Sequence, residues 1–464
     1  MSEDLRERLR RLLRSEPERS PAPPSESVEP LPDWLKLRLA RASVAPPRRV
    51  VLDPSAEEPP DETGLARAHE RFAGLPRDLE PMESERGSFA LRRTWLETSD
   101  AHGAWKLDEV DHCSDGVFAA LTGDRALATL RAREAVFLDI ETTGLSGGAG
   151  THVFLVGLGW FEGERFLVVQ GFLRGPEEEA ALLAHCAERL AGARAVVSFF
   201  GKSFDRHRLE DKMRLHGIPP PFGALPHLDL YYPCRKLYGP ALPDGRLATV
   251  ERALCGVERA HDLPGSFAPE AWFDFLRGRA HLLEEVFRHN LHDVLSLVVL
   301  CAHVGRTSEE SRGDGRPLPG GAHADAARAR ALAKLFAERK ENELALTWLD
   351  RALERESDHA RAREMRGRRA ELLRKLGRRD EALAEALLVS EGGRDAPAAY
   401  AALEAARLLA RAGHREQALA LARRAIELAE VTLSGAKKVA LVRSSGLLCA
   451  RMAPRGAQPV QRAV

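Results

Sequence analysis

From residue 135 onward, short apolar runs alternate with polar stretches of helical period. AVFLDI (135–140), THVFLVGLGWF (151–161) and ERFLVVQGFL (164–173) are separated by glycine-containing turns, which predicts three antiparallel neighbouring strands. PEEEAALLAHCAERLAG starts on proline, carries acids in its first turn and repeats apolar residues at helical spacing, so it predicts a helix. RAVVSFF predicts a further buried strand, FDRHRLEDKMRLHG a helix stopped by glycine, and HLDLYY a short strand. After an irregular insert, LLEEVFRHNLHDVLSLVVLCAHVG predicts a long final helix. This order describes an α/β layered domain with a mixed sheet. Ahead of it, GSFALRRTWLETSDAHGAWKL alternates around a His-Gly turn and predicts a small β element.

The flanks read differently. Residues 2–14 have the pattern of a short amphipathic helix. EPERSPAPPSESVEPLP and a second proline-rich passage then lack the apolar content needed to order themselves. Residues 1–85 are therefore expected to be largely disordered, and 86–305 to form the α/β domain. RTSEESRGDGRPLPGGAHAD (306–325) reads as a linker, and 326–464 as helical only. In that last region Ala345, Ala382 and Ala418 recur 37 and 36 residues apart within similar turn-helix stretches, close to the tetratricopeptide period. An ordinary helical bundle is the alternative, because the aromatic positions of a strong repeat are mostly missing.

Composition narrows the picture only slightly. A chain of 464 residues with 44% apolar content can bury more than one core. Lys plus Arg and Asp plus Glu both number 69, but the stretch from Arg306 onward holds 31 basic and 22 acidic residues. Such asymmetry suits a region facing nucleic acid, or simply helices with solvated arginine faces. The six cysteines form no C-x-x-C pair and no metal-ligand spacing. MSEDLRERLRRLLRS has no apolar signal core, and no run reaches the roughly 18 apolar residues of a membrane span. A cytoplasmic protein without membrane contact is expected.

Candidate chemistry lies in the acids. A strand repeats every two residues, so Asp139 and Glu141 leave one face of an otherwise apolar strand. Alone, such a pair is commonly a solvated strand end. Asp205 follows the strand break at Gly201, at the sheet end where ligands tend to sit, although it could instead be an N-terminal helix acid. Asp293 interrupts an apolar helix, with His289 one turn earlier on the same face. Four carboxylates meeting at one site raise one another's pKa unless a cation compensates. All-oxygen ligands favour Mg²⁺ or Mn²⁺, and two such ions about 3.5–4 Å apart suit phosphodiester hydrolysis.

FLDIETTGL, GKSFD and HNLHDVLSL, in this order, resemble the three exonuclease motifs of the DEDD (DnaQ-like 3′-to-5′ exonuclease) superfamily. The wider stretch 87–305 resembles the YprB-type ribonuclease H-like domain, including HLDLYYPCRKLYG, RLATVERALCGVERAHDLPG and WFDFLRG. The resemblance implies a ribonuclease H-like mixed sheet flanked by helices, here followed by an all-α tetratricopeptide-like region. It implies Asp139, Glu141, Asp205 and Asp293 as ligands of two Mg²⁺ or Mn²⁺ ions, His289 as general base, and 3′-to-5′ exonuclease hydrolysis. Two positions depart from the superfamily pattern. Its third motif has His five or Tyr four residues before the last Asp, where this chain has Arg288 and His289; His292, or no side-chain base at all, are the alternatives. Phe200 stands where Asn often precedes the glycine of the second motif.

Thr142, Thr143 and Gly144 follow the first acids closely enough to contact a terminal nucleotide. The loop GLSGGAG suits a phosphate or a plain hairpin turn, and Lys202 a phosphate or solvent. His227 and Asp229 read as structural. The expectation is a metal-dependent nuclease acting on single-stranded ends of DNA or RNA, with helical repeats that recruit a protein partner or extend the nucleic-acid track. Alternatives are a binding scaffold of the same fold with little turnover, and an endonuclease.

Overall fold

The parity of apolar residues along the central strand fixes the layers. In the computed structural model, which describes residues 75, 76, 78–144, 150–259, 263–318 and 320–452, that strand is β5 (Ala135–Thr142). Before it come β1 (Glu80–Ser84), β2 (Gly87–Glu97), the hairpin β3 (Ala101–His102) and β4 (Trp105–Lys106), and helix α1 (Val117–Thr122). After it come β6 (Val153–Glu162), β7 (Arg165–Phe172), α2 (Glu179–Ala191), β8 (Ala195–Ser198), α3 (Asp205–Leu215) and β9 (His227–Asp229). The domain is completed by α4 (Tyr231–Tyr238), α5 (Leu247–Cys255), α6 (Ala268–Leu276) and α7 (Leu283–Gly305).

Seven strands form one sheet in the order β1-β2-β7-β6-β5-β8-β9. β6 and β7 pair antiparallel beside β5, whereas β8 and β9 add in parallel on its other edge. Val136, Leu138 and Ile140 of β5 point into a core shared with α2 and α6, and Ala135 and Phe137 into the opposite core, shared with α4 and the second half of α7. Asp139 and Glu141 have the parity of Phe137, so they emerge beside α7. This is the mixed sheet with flanking helices that the apolar pattern predicts.

Four expectations are modified. β2 is no separate element but joins the main sheet by pairing with β7, and β1 extends that sheet from inside the stretch read as loosely structured. Tyr231 and Tyr232, read as strand, begin α4, because the parallel pairing of β9 with β8 ends at Asp229. The insert read as irregular contains three short helices, whose apolar residues divide between the two cores: Leu237, Val250 and Leu254 on one side, Trp272 and Phe275 on the other. Helices this short offer too few turns for their period to show. The 306–318 stretch, read as linker, is anchored. Buried Arg306 reaches Glu109 at 3.2 Å and Glu309 at 2.7 Å, and Arg312 reaches Glu109 at 3.4 Å. The amphipathic pattern at 2–14, the proline-rich passages and Leu145–Ala149 of the glycine loop lie outside the described residues.

The rest is helical: α8 (Gly321–Glu338), α9 (Asn342–Arg355), α10 (His359–Lys375), α11 (Arg379–Glu391), α12 (Ala396–Arg411), α13 (Arg415–Thr432) and α14 (Gly435–Met452). Each helix packs on the next, and Ala345, Ala382 and Ala418 are fully buried in α9, α11 and α13. Helix α8 lies against α4, so Ala324, Leu332 and Trp348 share one core with Phe137 and Val298. No described helix is long and apolar enough to cross a membrane.

Candidate functional site

The site begins with how α7 docks on the sheet. Asp139, Gly157 and Gln170 stand in one row across β5, β6 and β7. Fully buried Asn290 of α7 spans that row. Its Nδ2 donates to Asp139 Oδ2 at 2.8 Å, and its Oδ1 accepts from Gln170 Nε2 at 2.8 Å. A Cβ on Gly157 would lie 2.4 Å from Asn290 Oδ1, so glycine is what lets the helix approach. One amide thereby fixes the rotation of α7 and delivers His289 and Asp293 beside the acids of β5.

Glu141, His289 and Asp293 then offer ligand atoms all within 4.8 Å of one another. His289 Nε2 stands 3.4 Å from Asp293 Oδ2 and 3.9 Å from Glu141 Oε1. Asp205 enters from the other strand type: β8 ends at Ser198, the chain turns, and Asp205 opens α3, buried at 7% exposure. Gly201 makes that turn possible, since a Cβ there would meet Ser198 Oγ at 2.4 Å and Asp205 Oδ2 at 3.0 Å.

Electrostatics joins these groups. Burial, and then repulsion from Asp293, Asp205 and Glu141, pushes the Asp139 carboxyl well above the usual range, against the hydrogen bond from Asn290. Burial, and then Asp229, Glu141 and Asp293, does the same to Asp205. A positive charge that pairs with Asp293 beside these groups is Arg259, which the sequence reading did not single out. Its guanidinium binds Glu251 at 2.6 and 2.8 Å, donates to Asp293 Oδ1 at 2.5 Å and faces His289 Nδ1 at 3.5 Å. Burial lowers the Arg259 pKa, but Asp293 and Glu251 outweigh it and raise the value above its ordinary level. A guanidinium can only donate, so this contact favours the His289 tautomer with its proton on Nε2, toward the carboxylates. Behind α7, His102 Nε2 meets Ser296 Oγ at 2.8 Å and packs edge-on against His292. Burial, then His292 and Arg259, holds His102 down at about 4.

The expected substrate-binding residues fall into two groups. Thr142 Oγ1 donates to the Gly144 carbonyl at 2.9 Å, and Thr143 Oγ1 accepts from the His152 amide at 2.9 Å, so both hydroxyls close the turn after β5. Lys202 sits in the β8–α3 turn with its ammonium 3.7 Å from Asp124. Asp229, read as structural, accepts the amides of Phe200, Lys202 and Tyr231 and so shapes that turn. His227 Nε2 meets the hydroxyl of Ser198, the last residue of β8, at 2.7 Å. Asn290 was readable only as the neighbour of His289 in HNLHD. Arg259 and Glu251 carried no local signal, because a charged pair at that spacing is ordinary on a helix end.

The donor set fits a hard divalent cation: carboxylate oxygens with one imidazole, in a buried cluster whose members repel one another. Residues 136–304 match the family model described as RNase_H superfamily. An uncharacterized protein of Bacillus subtilis (strain 168), YprB, is 34% identical over 225 residues, which cover 47% of this chain and 51% of that protein. The chain thus spans about half the length of this curated relative. The family B DNA polymerase from the hyperthermophilic archaeon Pyrobaculum calidifontis is similar over 44% of this chain and 29% of that one, at 16% identity and a TM-score of 0.30. That likeness is too slight to bear on function.

Proposed function

We propose that this protein is a metal-dependent nuclease that hydrolyses phosphodiester bonds, acting as a 3′-to-5′ exonuclease on single-stranded ends of DNA or RNA. The observation that carries this reading is the meeting of Glu141, His289 and Asp293 ligand atoms within 4.8 Å of one another, beside buried Asp139 and Asp205 whose carboxyls burial and neighbouring acids raise, together with the match of residues 136–304 to the RNase_H superfamily model. These four residues would hold two Mg²⁺ or Mn²⁺ ions. When bound, such ions supply Lewis acidity toward the phosphate and lower the pKa of water.

The chain's own groups do the rest. Asn290 holds the Asp139 carboxylate in place from behind, and Arg259 holds Asp293. His289 is the group suited to accept a proton from the attacking water, since an imidazole is near neutral in affinity for protons at physiological pH. In the present arrangement its Nε2–H faces Asp293 and Glu141 and its Nδ1 lone pair faces Arg259, so the ring takes the proton only after the Arg259 contact at Nδ1 is released or the tautomer changes. The helical region, similar to tetratricopeptide repeats in its spacing of buried alanines, would recruit a protein partner or lengthen the nucleic-acid track.

The deciding experiment is a nuclease assay with end-labelled DNA and RNA, single and double stranded, in Mg²⁺ or Mn²⁺. We expect Asp205→Asn and Asp293→Asn to abolish metal-dependent release of nucleotides while the variants stay folded. Undiminished release by either purified variant would refute the site. Binding without turnover in the wild type would instead favour a scaffold role.

A further inference from the structure

We infer that Phe200 is a stacking platform for a nucleobase at the edge of the acidic site. The inference rests on the nuclease reading and adds how the substrate is gripped. Among the described residues, the non-glycine positions with positive φ are Lys340, at 64°, and Phe200, at 62°. Lys340 lies in the turn between two helices, where a left-handed residue commonly ends the first. Phe200 has no such excuse: a bulky side chain in the left-handed region is sterically costly.

The surroundings impose that conformation. Asp229, 2% exposed, accepts the Phe200 amide at 2.7 Å, the Lys202 amide at 3.0 Å and the Tyr231 amide at 3.1 Å. The ring it positions is half-buried and packs edge-on against Tyr231, with ring centroids 4.9 Å apart. Among the described residues it is not part of the buried hydrophobic clusters, whereas its neighbour Phe199 packs against the core beneath α7. Core packing therefore does not account for the strain.

Position does. β8 runs parallel to β5 with Val197 beside Phe137, so Phe200, in the turn just after β8, and Asp139 and Glu141, toward the end of β5, reach the same end of the sheet. The next residue, Gly201, abuts the Asp205 carboxylate. Strain that the fold over-determines collects at functional sites. An aromatic face beside a phosphate-handling centre takes bases regardless of sequence, because every base has a π face.

The test uses the full-length chain carrying Asp205→Asn, which suppresses turnover, in Mn²⁺. Its ligands are single-stranded oligodeoxynucleotides with 2-aminopurine at successive positions from the 3′ end, and oligoribonucleotides of the same sequence. We expect emission to be quenched chiefly at one position near that end. Adding Phe200→Asn, a residue that tolerates the left-handed region, should weaken affinity about 5- to 150-fold, the range for losing one base–aromatic stack, and abolish the quenching. Its melting temperature should stay at or above that of the parent. Phe200→Tyr should keep both affinity and quenching. Unchanged affinity or persistent quenching in Phe200→Asn overturns the inference, as does a lowered melting temperature with binding intact. If Phe200→Asn loses fold and affinity together, the parent decides: quenching spread evenly along the strand overturns it. A parent that binds no oligonucleotide at all refutes the nuclease reading itself.

Discussion

Replacing Arg259 with methionine tests whether the acidic cluster needs a cation. The guanidinium side chain is 6% exposed and bridges Glu251, 1% exposed, and Asp293, 13% exposed. Methionine keeps much of the stem's volume but leaves both carboxylates facing each other without a positive partner. Removing one member of a buried pair costs about 3–5 kcal/mol, because the remaining charge is neither solvated nor compensated. In EDTA, urea unfolding of Arg259→Met should therefore show a loss of about that size against the wild type. A divalent cation binding the same oxygens replaces the missing charge. At a hundredfold excess over its dissociation constant it contributes about 2.7 kcal/mol to any protein that binds it only when folded. The variant should gain more than the wild type, since Arg259 no longer competes for Asp293 Oδ1, and the gap between the two proteins should narrow in Mn²⁺. A loss below about 1 kcal/mol in EDTA would show that the arginine is not the compensating charge. An equal loss with and without Mn²⁺ would show that the cation does not bind at Asp293.

Three further outcomes follow from the same geometry. His289→Ala should slow nucleotide release at least about 10²-fold, the usual scale for proton transfer by a side chain; a wild-type rate in single-turnover assays would remove it from the mechanism. Gly157→Ala would set a methyl 2.4 Å from Asn290 Oδ1. It should cost about 1–3 kcal/mol in denaturant unfolding through overpacking and about 10²-fold in rate through displacement of α7; unchanged kinetics would mean that the Asn290 contact does not set the site. Metal and protons should also compete. Burial and repulsion from neighbouring acids raise Asp139 and Asp205, so without metal these two carboxyls hold more protons in the native state than in the unfolded chain above about pH 4, and the stability they contribute is lost as pH rises through the raised values. The gain in melting temperature from Mn²⁺ over EDTA should therefore grow with pH across that range. His227 and His303, held down at about 3 by burial, act alike in both media and cancel in the difference. A gain that does not vary with pH would exclude these carboxylates as the ligands.

Much of the fold was legible because it is written in local periodicity. The alternation in β5, β6 and β7 and the 3.6-residue repeats of α2 and α7 each depend on residues a few positions apart, and the antiparallel order of those strands follows from short glycine turns. The same parity put Asp139 and Glu141 on one face. The short helices of the insert were not legible, since each spans only two or three turns and owes its apolar face to cores assembled from distant segments. Nor was the anchoring of 306–318, where a Gly/Pro/Ser composition reports turns but says nothing of Glu109 lying far back in the chain to receive Arg306 and Arg312.

The sequence by itself determined the strand and helix pattern, the candidate acids and the spacing that presents Asp139 with Glu141 and His289 with Asp293, because these follow from the period of a single element. Only the tertiary structure decided that Arg259 sits on Asp293, that Asn290 ties α7 to Asp139 across Gly157, that Asp229 forces Phe200 into the left-handed region, and that α8 shares a core with the sheet. Each of these joins residues whose separation along the chain carries no local signal. Charge pairing, close approach and strain arise only once distant segments occupy the same space.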